Sequence, residues 1–242
     1  MSIWGKILGG TAGFAIGGPL GAILGVMAGN IYDKSKRKSF NFHSISNQQK
    51  QSIFALSVII LSAKLAKADG VVTKDEISAF KEKFRISEKD MSQVGKIFNE
   101  AKKTSYGFEN IAKQVSDLFY DNSLILEELL SNLFYIAEAD GVISKEELSY
   151  LKSVSDIFKF SNKTFERIYE THLSKDSDPY KVLGVNRNDS DEKIRNSWIK
   201  LTKEHHPDNL IAKGMPPEFI EQATKEMSSI NSAYDKIQKM RN

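Results

Sequence analysis

The 242 residues are enough for an anchor and two small domains rather than one large core, and 34 basic against 31 acidic side chains leave a formal net charge of only +3. That near balance lacks the basic excess of a nucleic-acid binder, so no nucleic-acid partner is expected. The absence of cysteine excludes disulfides, thiol catalysis and Cys-type zinc sites, and fits a reducing compartment.

The first element in chain order is a candidate membrane span. Ile7 to Ile31 is a run of 25 residues without a charge, and about 20 apolar residues suffice for a helix to cross a bilayer core. Trp4 and Tyr32 bracket the run like interfacial aromatics. Lys34, Lys36, Arg37 and Lys38 follow at once, whereas Lys6 is the one charged side chain before it. The basic flank faces the cytoplasm. This predicts a single-pass anchor over residues 1–33, with the N-terminus outside and all later residues in the cytoplasm. Gly9, Gly13, Gly17, Gly21, Gly25 and Gly29 stand four apart. On a helix they form a small-residue face through which two backbones can approach, which predicts a homodimer in the membrane. A weakly inserting glycine-rich segment, or a kink near Pro19, are the alternatives. A cleaved signal peptide fits less well, because its charged leader is nearly missing and its apolar core is normally only ~7–15 residues. The basic linker at residues 34–46 suits anionic lipid headgroups better than nucleic acid.

Residues 47–171 carry helical periodicity and no convincing strand pattern. The stretch Ala66-Lys67-Ala68-Asp69-Gly70-Val71-Val72-Thr73-Lys74-Asp75-Glu76 returns as Ala137-Glu138-Ala139-Asp140-Gly141-Val142-Ile143-Ser144-Lys145-Glu146-Glu147. Each copy follows an apolar stretch, Ile53 to Leu65 and Leu124 to Ile136, which predicts two related helical halves. Asp69, Glu76, Asp140 and Glu147 match late positions of a calcium-binding loop, but the early ligand positions hold Leu65, Lys67, Ile136 and Glu138. The competing reading is structural. Gly70 and Gly141 end helices, and Thr73…Glu76 and Ser144…Glu147 are capping boxes that open the next ones. Phe108, Phe119, Tyr120 and the Ile157-Phe158-Phe160 group line a groove or, as aromatics at helical spacing usually do, fill the core.

After a linker at 172–177, residues 178–240 hold an antiparallel helix pair. Ser190 is an N-cap followed by Asp191 and Glu192, and Ile194, Trp198 and Leu201 form one apolar stripe. Arg195, Lys200 and Lys203 lie on the other face. The second helix starts at Pro217 and carries Phe219, Ala223, Met227, Ile230, Tyr234 and Ile237 at spacings of four and three. Between the helices His206-Pro207-Asp208 forms an exposed turn, since proline fixes its own φ and pushes His206 towards an extended conformation. No phosphate-binding glycine loop is present. His43 and His172 stand alone, and His205 beside His206 makes no metal pattern, so no cofactor is expected.

Residues 178–238 resemble a J-domain along their whole length. The matching residues are Asp178-Pro179-Tyr180…Leu183-Gly184-Val185, Ile194-Arg195…Trp198…Leu201…His205-His206-Pro207-Asp208, and Ile230-Asn231…Ala233-Tyr234. The loop Ala212-Lys213-Gly214-Met215-Pro216-Pro217-Glu218 resembles that of the DjlA-type membrane-anchored J-proteins, as do Trp4-Gly5-Lys6-Ile7 and Asp33-Lys34. The repeated Ala-x-Ala-Asp-Gly is similar to the TerB-like (tellurite-resistance) helical domain that such proteins carry between anchor and J-domain.

The resemblance implies an all-α protein: a transmembrane helix, a two-fold-repeated TerB-like domain and a C-terminal J-domain. It implies a bacterial inner-membrane co-chaperone that is not itself an enzyme. Its partner is a DnaK-type chaperone, whose ATPase it stimulates through His206, Pro207 and Asp208 after docking by Arg195, Lys200 and Lys203. The TerB-like domain takes a client or partner that these residues do not identify. Trp198 stands where the family has Tyr, Ile199 where a basic residue is common, and Asn209 where Lys or Arg is usual. The alternative is a membrane adaptor or envelope-stress sensor acting through the TerB-like domain, with a metal response as one form of it.

Overall fold

The computed structural model describes residues 2–9, 20–21, 46–67, 80–103, 107–138, 143–173 and 177–241. Among them every regular element is helical and no strand occurs. The middle of the chain is built from α1 (Ile3–Gly9), α2 (Asn47–Leu65), α3 (Glu88–Ala101), α4 (Phe108–Leu118), α5 (Ser123–Ala137), α6 (Lys145–Ile157) and α7 (Asn162–His172).

Helix α2 opens on a capping box, in which the Ser46 side chain accepts from Gln49 N–H and the Gln49 side chain accepts from Ser46 N–H. From Ser52 to Leu65 it is buried on every side, as a helix apolar all round must be. It runs through the centre and packs against α1, α3, α4, α5 and α6. Helix α5 is the corresponding apolar helix of the second repeat. The two helices that precede the repeated turns therefore pack against each other at the heart of this domain. Of the turns themselves, Asp69, Glu76 and Asp140 lie outside the described residues. Glu147 accepts from Ser144 N–H while its own N–H donates to Ser144 Oγ, so the second capping box forms. Phe119 and Phe158 are core residues, and Phe108 packs its ring 4.4 Å from that of Tyr150. Tyr120 alone of this aromatic set is exposed, at 67%.

No helix among the described residues is long and apolar enough to cross a membrane. Of the glycine series, Gly9 closes α1 and Gly21 is buried, whereas Gly13, Gly17, Gly25 and Gly29 lie outside the described residues. Trp4 departs from expectation. It does not mark a membrane interface but sits 1% exposed in the core, with its ring 5.6 Å from Phe219 and 6.3 Å from Phe84. An aromatic pocket offers the indole ring the same release from water as a bilayer edge. Its Nε1 has no hydrogen-bond partner among the described residues, so the apolar ring carries the gain.

The C-terminal part comprises α8 (Pro179–Val182), α9 (Asp191–Glu204), α10 (Pro207–Ala212), a 3-10 turn at Pro217–Phe219 and α11 (Ile220–Arg241). Helices α9 and α11 form the expected pair over a small core of Tyr180, Val182, Leu183, Val185, Ile194, Leu201, Ile230, Ala233 and Ile237. The α11 stripe divides, however. Its N-terminal members Phe219 and Ala223 join the large core of the middle domain. Periodicity identifies an apolar face but not the core that receives it. The two domains are docked: α8 packs on α7, and Asp178 N–H donates to Glu170 Oε2 across the linker at 2.8 Å.

Candidate functional site

Helix α9 begins at Ser190, whose Oγ accepts from Lys193 N–H at 3.3 Å. Ile194 and Leu201 face the small core. Trp198 stacks on Tyr234 with ring centroids 4.5 Å apart and planes 9° apart, and its Nε1 donates to Asn231 Oδ1 at 2.8 Å. This clamp holds α9 against α11 and fixes which face looks outward. Arg195, Ile199, Lys200 and Lys203 all lie on that exposed face. Lys200 stands 4.0 Å from Glu204 in a solvent-exposed pair, a kind of contact worth little in water.

The helix ends at Glu204, and α10 starts three residues later at Pro207. His206 is the N-cap of α10, with φ −63° and ψ 132°, the extended conformation a following proline favours. Its Nδ1 accepts from Asp208 N–H at 3.2 Å. The imidazole thus does the work of a capping side chain, and its ring is aimed by a backbone bond rather than left to rotate. His206 keeps 51% and Asp208 89% of its side chain exposed. Asn209 Nδ2 reaches back to donate to Glu204 O at 2.7 Å and ties the end of α9 to the start of α10. Asn209, a departure from the J-domain pattern, therefore has a structural task.

The far end of α10 is anchored as firmly. Gly214 adopts φ 101°, a left-handed conformation that lets the chain turn sharply and bring Met215 N–H onto Leu210 O at 2.9 Å. Leu210, Met215 and Phe219 then enter the middle domain's core at 0–1% exposure. Gln51 and Asn122 of the middle domain donate to the carbonyls of Met215 and Lys213, and Glu218 Oε1 accepts from Ile3 N–H at 2.7 Å. The loop singled out in the sequence as DjlA-like is a docking loop within the molecule.

Directly beneath the exposed turn lies a buried polar cluster. His205, next to His206, is 2% exposed. Its Nδ1 lies 2.7 Å from Glu128 Oε1 on α5 and 3.7 Å from Glu226 Oε2 on α11. Ser131 Oγ contacts Glu226 Oε1 and lies 2.7 Å from His172 Nε2. His172 Nδ1 is in turn 3.3 Å from Glu138. Arg167 of α7 pairs with Glu127 beside the cluster. Burial raises the Glu128 carboxyl to about 8, with Glu127 adding to the shift. Burial likewise pushes Glu226 up, reinforced by Glu128. His205 is held below the usual histidine range by burial and by Arg167.

In the sequence His172 and His205 stand unconnected, and nothing beside them names the glutamates as their partners. Two local signals pointed to them. Glu127-Glu128 interrupts the apolar stretch Leu124 to Ile136, and Glu226 falls four residues before Ile230, on the apolar stripe of its helix.

Together, the helix pair, its exposed His-Pro-Asp turn and the docked helical repeat domain define a J-domain protein with a TerB-like module. Family descriptions match successive stretches of the chain: Co-chaperone DjlA transmembrane domain over 1–44, Tellurite resistance protein TerB over 55–170 and DnaJ domain over 178–241. Co-chaperone protein DjlA of Aliivibrio fischeri is 30% identical, covering 99% of this chain and 98% of that protein. Those of Coxiella burnetii and Escherichia coli K12 are 28% and 24% identical over at least 97% of both chains. No solved structure matches. The chain belongs to the DjlA family of membrane-anchored J-domain co-chaperones.

Proposed function

We propose that the chain docks on an ATP-bound DnaK-type chaperone and stimulates its ATPase, recruiting it to clients at the cytoplasmic face of the inner membrane. The observation that carries this reading is the turn at His206-Pro207-Asp208. It is exposed, capped at both ends and adjacent to the outward face bearing Arg195, Lys200 and Lys203. Basic side chains at such a rim chiefly raise the association rate and set orientation. The His206 and Asp208 side chains then reach the chaperone at a fixed angle to α9. The chain contributes no bond-making group in this scheme; it acts by contact with the partner's ATPase.

The apolar run Ile7 to Ile31 and the basic residues Lys34, Lys36, Arg37 and Lys38 after it support a membrane anchor; an N-terminus outside requires α1 to leave the core in which Trp4 packs against Phe219. The glycine series from Gly9 to Gly29 supports a dimer within the membrane. Two J-domains would then stand side by side at the bilayer surface. The TerB-like domain holds the client or partner.

The test is single-turnover ATP hydrolysis by the DnaK-type chaperone of the same cell, with the full chain in lipid nanodiscs. Stimulation by the wild type and its loss in His206→Gln are expected. Unchanged hydrolysis with wild-type chain sinks the reading.

A further inference from the structure

We propose that Glu128, His205 and Glu226 bind a divalent transition-series cation, of which Zn²⁺ is the type, and that this ion fastens the J-domain to the TerB-like domain. The three residues come from α5, from the end of α9 and from α11. One donor atom from each lies within 4.8 Å of the other two. Their exposures are 0%, 2% and 5%, so water does not solvate them.

One atom of the group points to a missing ligand. Glu128 Oε2 is buried and has no hydrogen-bond partner among the described residues. A buried polar atom left unpaired costs about 1–3 kcal/mol, and more when charged. It belongs to a side chain whose other oxygen already faces the cluster, 2.7 Å from His205 Nδ1.

The donor set selects the ion. One imidazole nitrogen with carboxylate oxygens suits Zn²⁺ and its neighbours Mn²⁺ and Fe²⁺. Ca²⁺ and Mg²⁺ prefer an all-oxygen shell. The present spacing needs little adjustment. Tetrahedral ligands at about 2.0–2.1 Å from zinc stand roughly 3.3 Å apart. The His205–Glu226 pair at 3.7 Å is close to that, and His205 and Glu128, now 2.7 Å apart, must separate by about half an ångström. Ser131 Oγ abuts Glu226, and His172 behind it is held by Glu138. That is the outer support metal sites usually have. An entry path exists as well. Glu138, His172 and Glu226 line a groove of about 820 Å³ between α5, α7 and α11.

This site is distinct from the repeated acidic turns, because two of its ligands belong to the J-domain. It also stands apart from chaperone activation, and no chaperone enters its test. The full chain, in detergent and stripped with a chelator, is titrated with Zn²⁺, Mn²⁺ and Mg²⁺ by calorimetry, and with Co²⁺ by visible absorption. One Zn²⁺ per chain, a Co²⁺ band of low-coordinate nitrogen–oxygen type and weak Mg²⁺ uptake are expected. Glu128→Gln and Glu226→Gln should each weaken Zn²⁺ at least tenfold. Circular dichroism checks their fold. Should a variant unfold, the wild type decides: its thermal midpoint should climb with Zn²⁺ and return on chelation. No stoichiometric Zn²⁺ uptake, or uptake unchanged in folded variants, overturns the proposal.

Discussion

His205 and His206 are neighbours in the chain and opposites in environment: the first is 2% exposed against Glu128, and the second keeps 51% of its side chain in solvent. The buried ring is held by helices of both domains, while the exposed ring caps α10. One peptide unit therefore joins the interdomain contact to the surface turn. The direction in which Pro207 and Asp208 project is set by the TerB-like domain, not by the helix pair alone.

The docking loop should be the point at which this coupling is broken. Phe219 belongs to the J-domain match, yet its ring packs 5.0 Å from Phe54 and 4.9 Å from Phe84 of the other domain. Phe219→Ala should destabilise the chain by about 3–5 kcal/mol. Hydrogen exchange is expected to accelerate in α10 and in the middle of α2, while the α9–α11 contact at Ile194 and Ile237 stays protected. Equal loss of protection in α9 and α11 would show that the J-domain does not hold together without its neighbour.

The outward face of α9 predicts an asymmetry between two substitutions. Arg195 is exposed beside Ile199, which is 40% exposed without a charge. Arg195→Ala should slow association with the chaperone by roughly two- to fivefold at low salt, and Ile199→Lys should speed it by a similar factor. Stopped-flow association at two ionic strengths is the measurement. Rates that do not respond to either change would move the docking face elsewhere.

Much of this was legible in the sequence, and what was not has a common cause. The capping boxes at Ser46 and Ser144, the α9 stripe and the exposed turn rest on contacts within a few residues, so local pattern carries them. The resemblance to J-domains turned the turn into a candidate site. His205 meets Glu128 across 77 residues, and Trp4 meets Phe219 across a longer interval. A period of 3.6 reports that a face is apolar, but it cannot report whose core the face enters. The polar cluster was hidden twice over, because its histidine lay beside a more conspicuous one and its glutamates lay inside apolar stretches.

Asn209 offers a test of local architecture. Its side-chain bond to Glu204 O closes the end of α9. Replacing it with alanine leaves that carbonyl to solvent and should cost about 1 kcal/mol. Fraying should be confined to the last turn of α9, read as faster exchange at Lys203 to His205. Asn209→Asp cannot donate to a carbonyl and should behave like alanine. If it behaves like the wild type, the bond is not what holds the turn.

Lys64 provides the pH-dependent case. It lies on the wholly buried helix α2, 3% exposed, with its Nζ 3.5 Å from Ala101 O. Burial lowers its ammonium from the ordinary value of 10.5, against an opposing pull from Glu109. At neutral pH the lysine is charged in the unfolded chain, and folding must bring that charge out of water. Between the lowered folded value and 10.5, the unfolded state binds more protons than the folded one, so stability rises with pH across that window. Lys64→Met removes the charge and keeps the stem's packing, and should stabilise the chain by about 1 kcal/mol at pH 7. The gain should shrink as pH climbs towards 10.5, because the wild-type lysine then loses its proton whether folded or not. Urea unfolding of both proteins at pH 7, 9 and 10 reads this directly. A stability difference that stays constant across that range would mean the ammonium remains fully charged in the core, held there by the carbonyl at the end of α3.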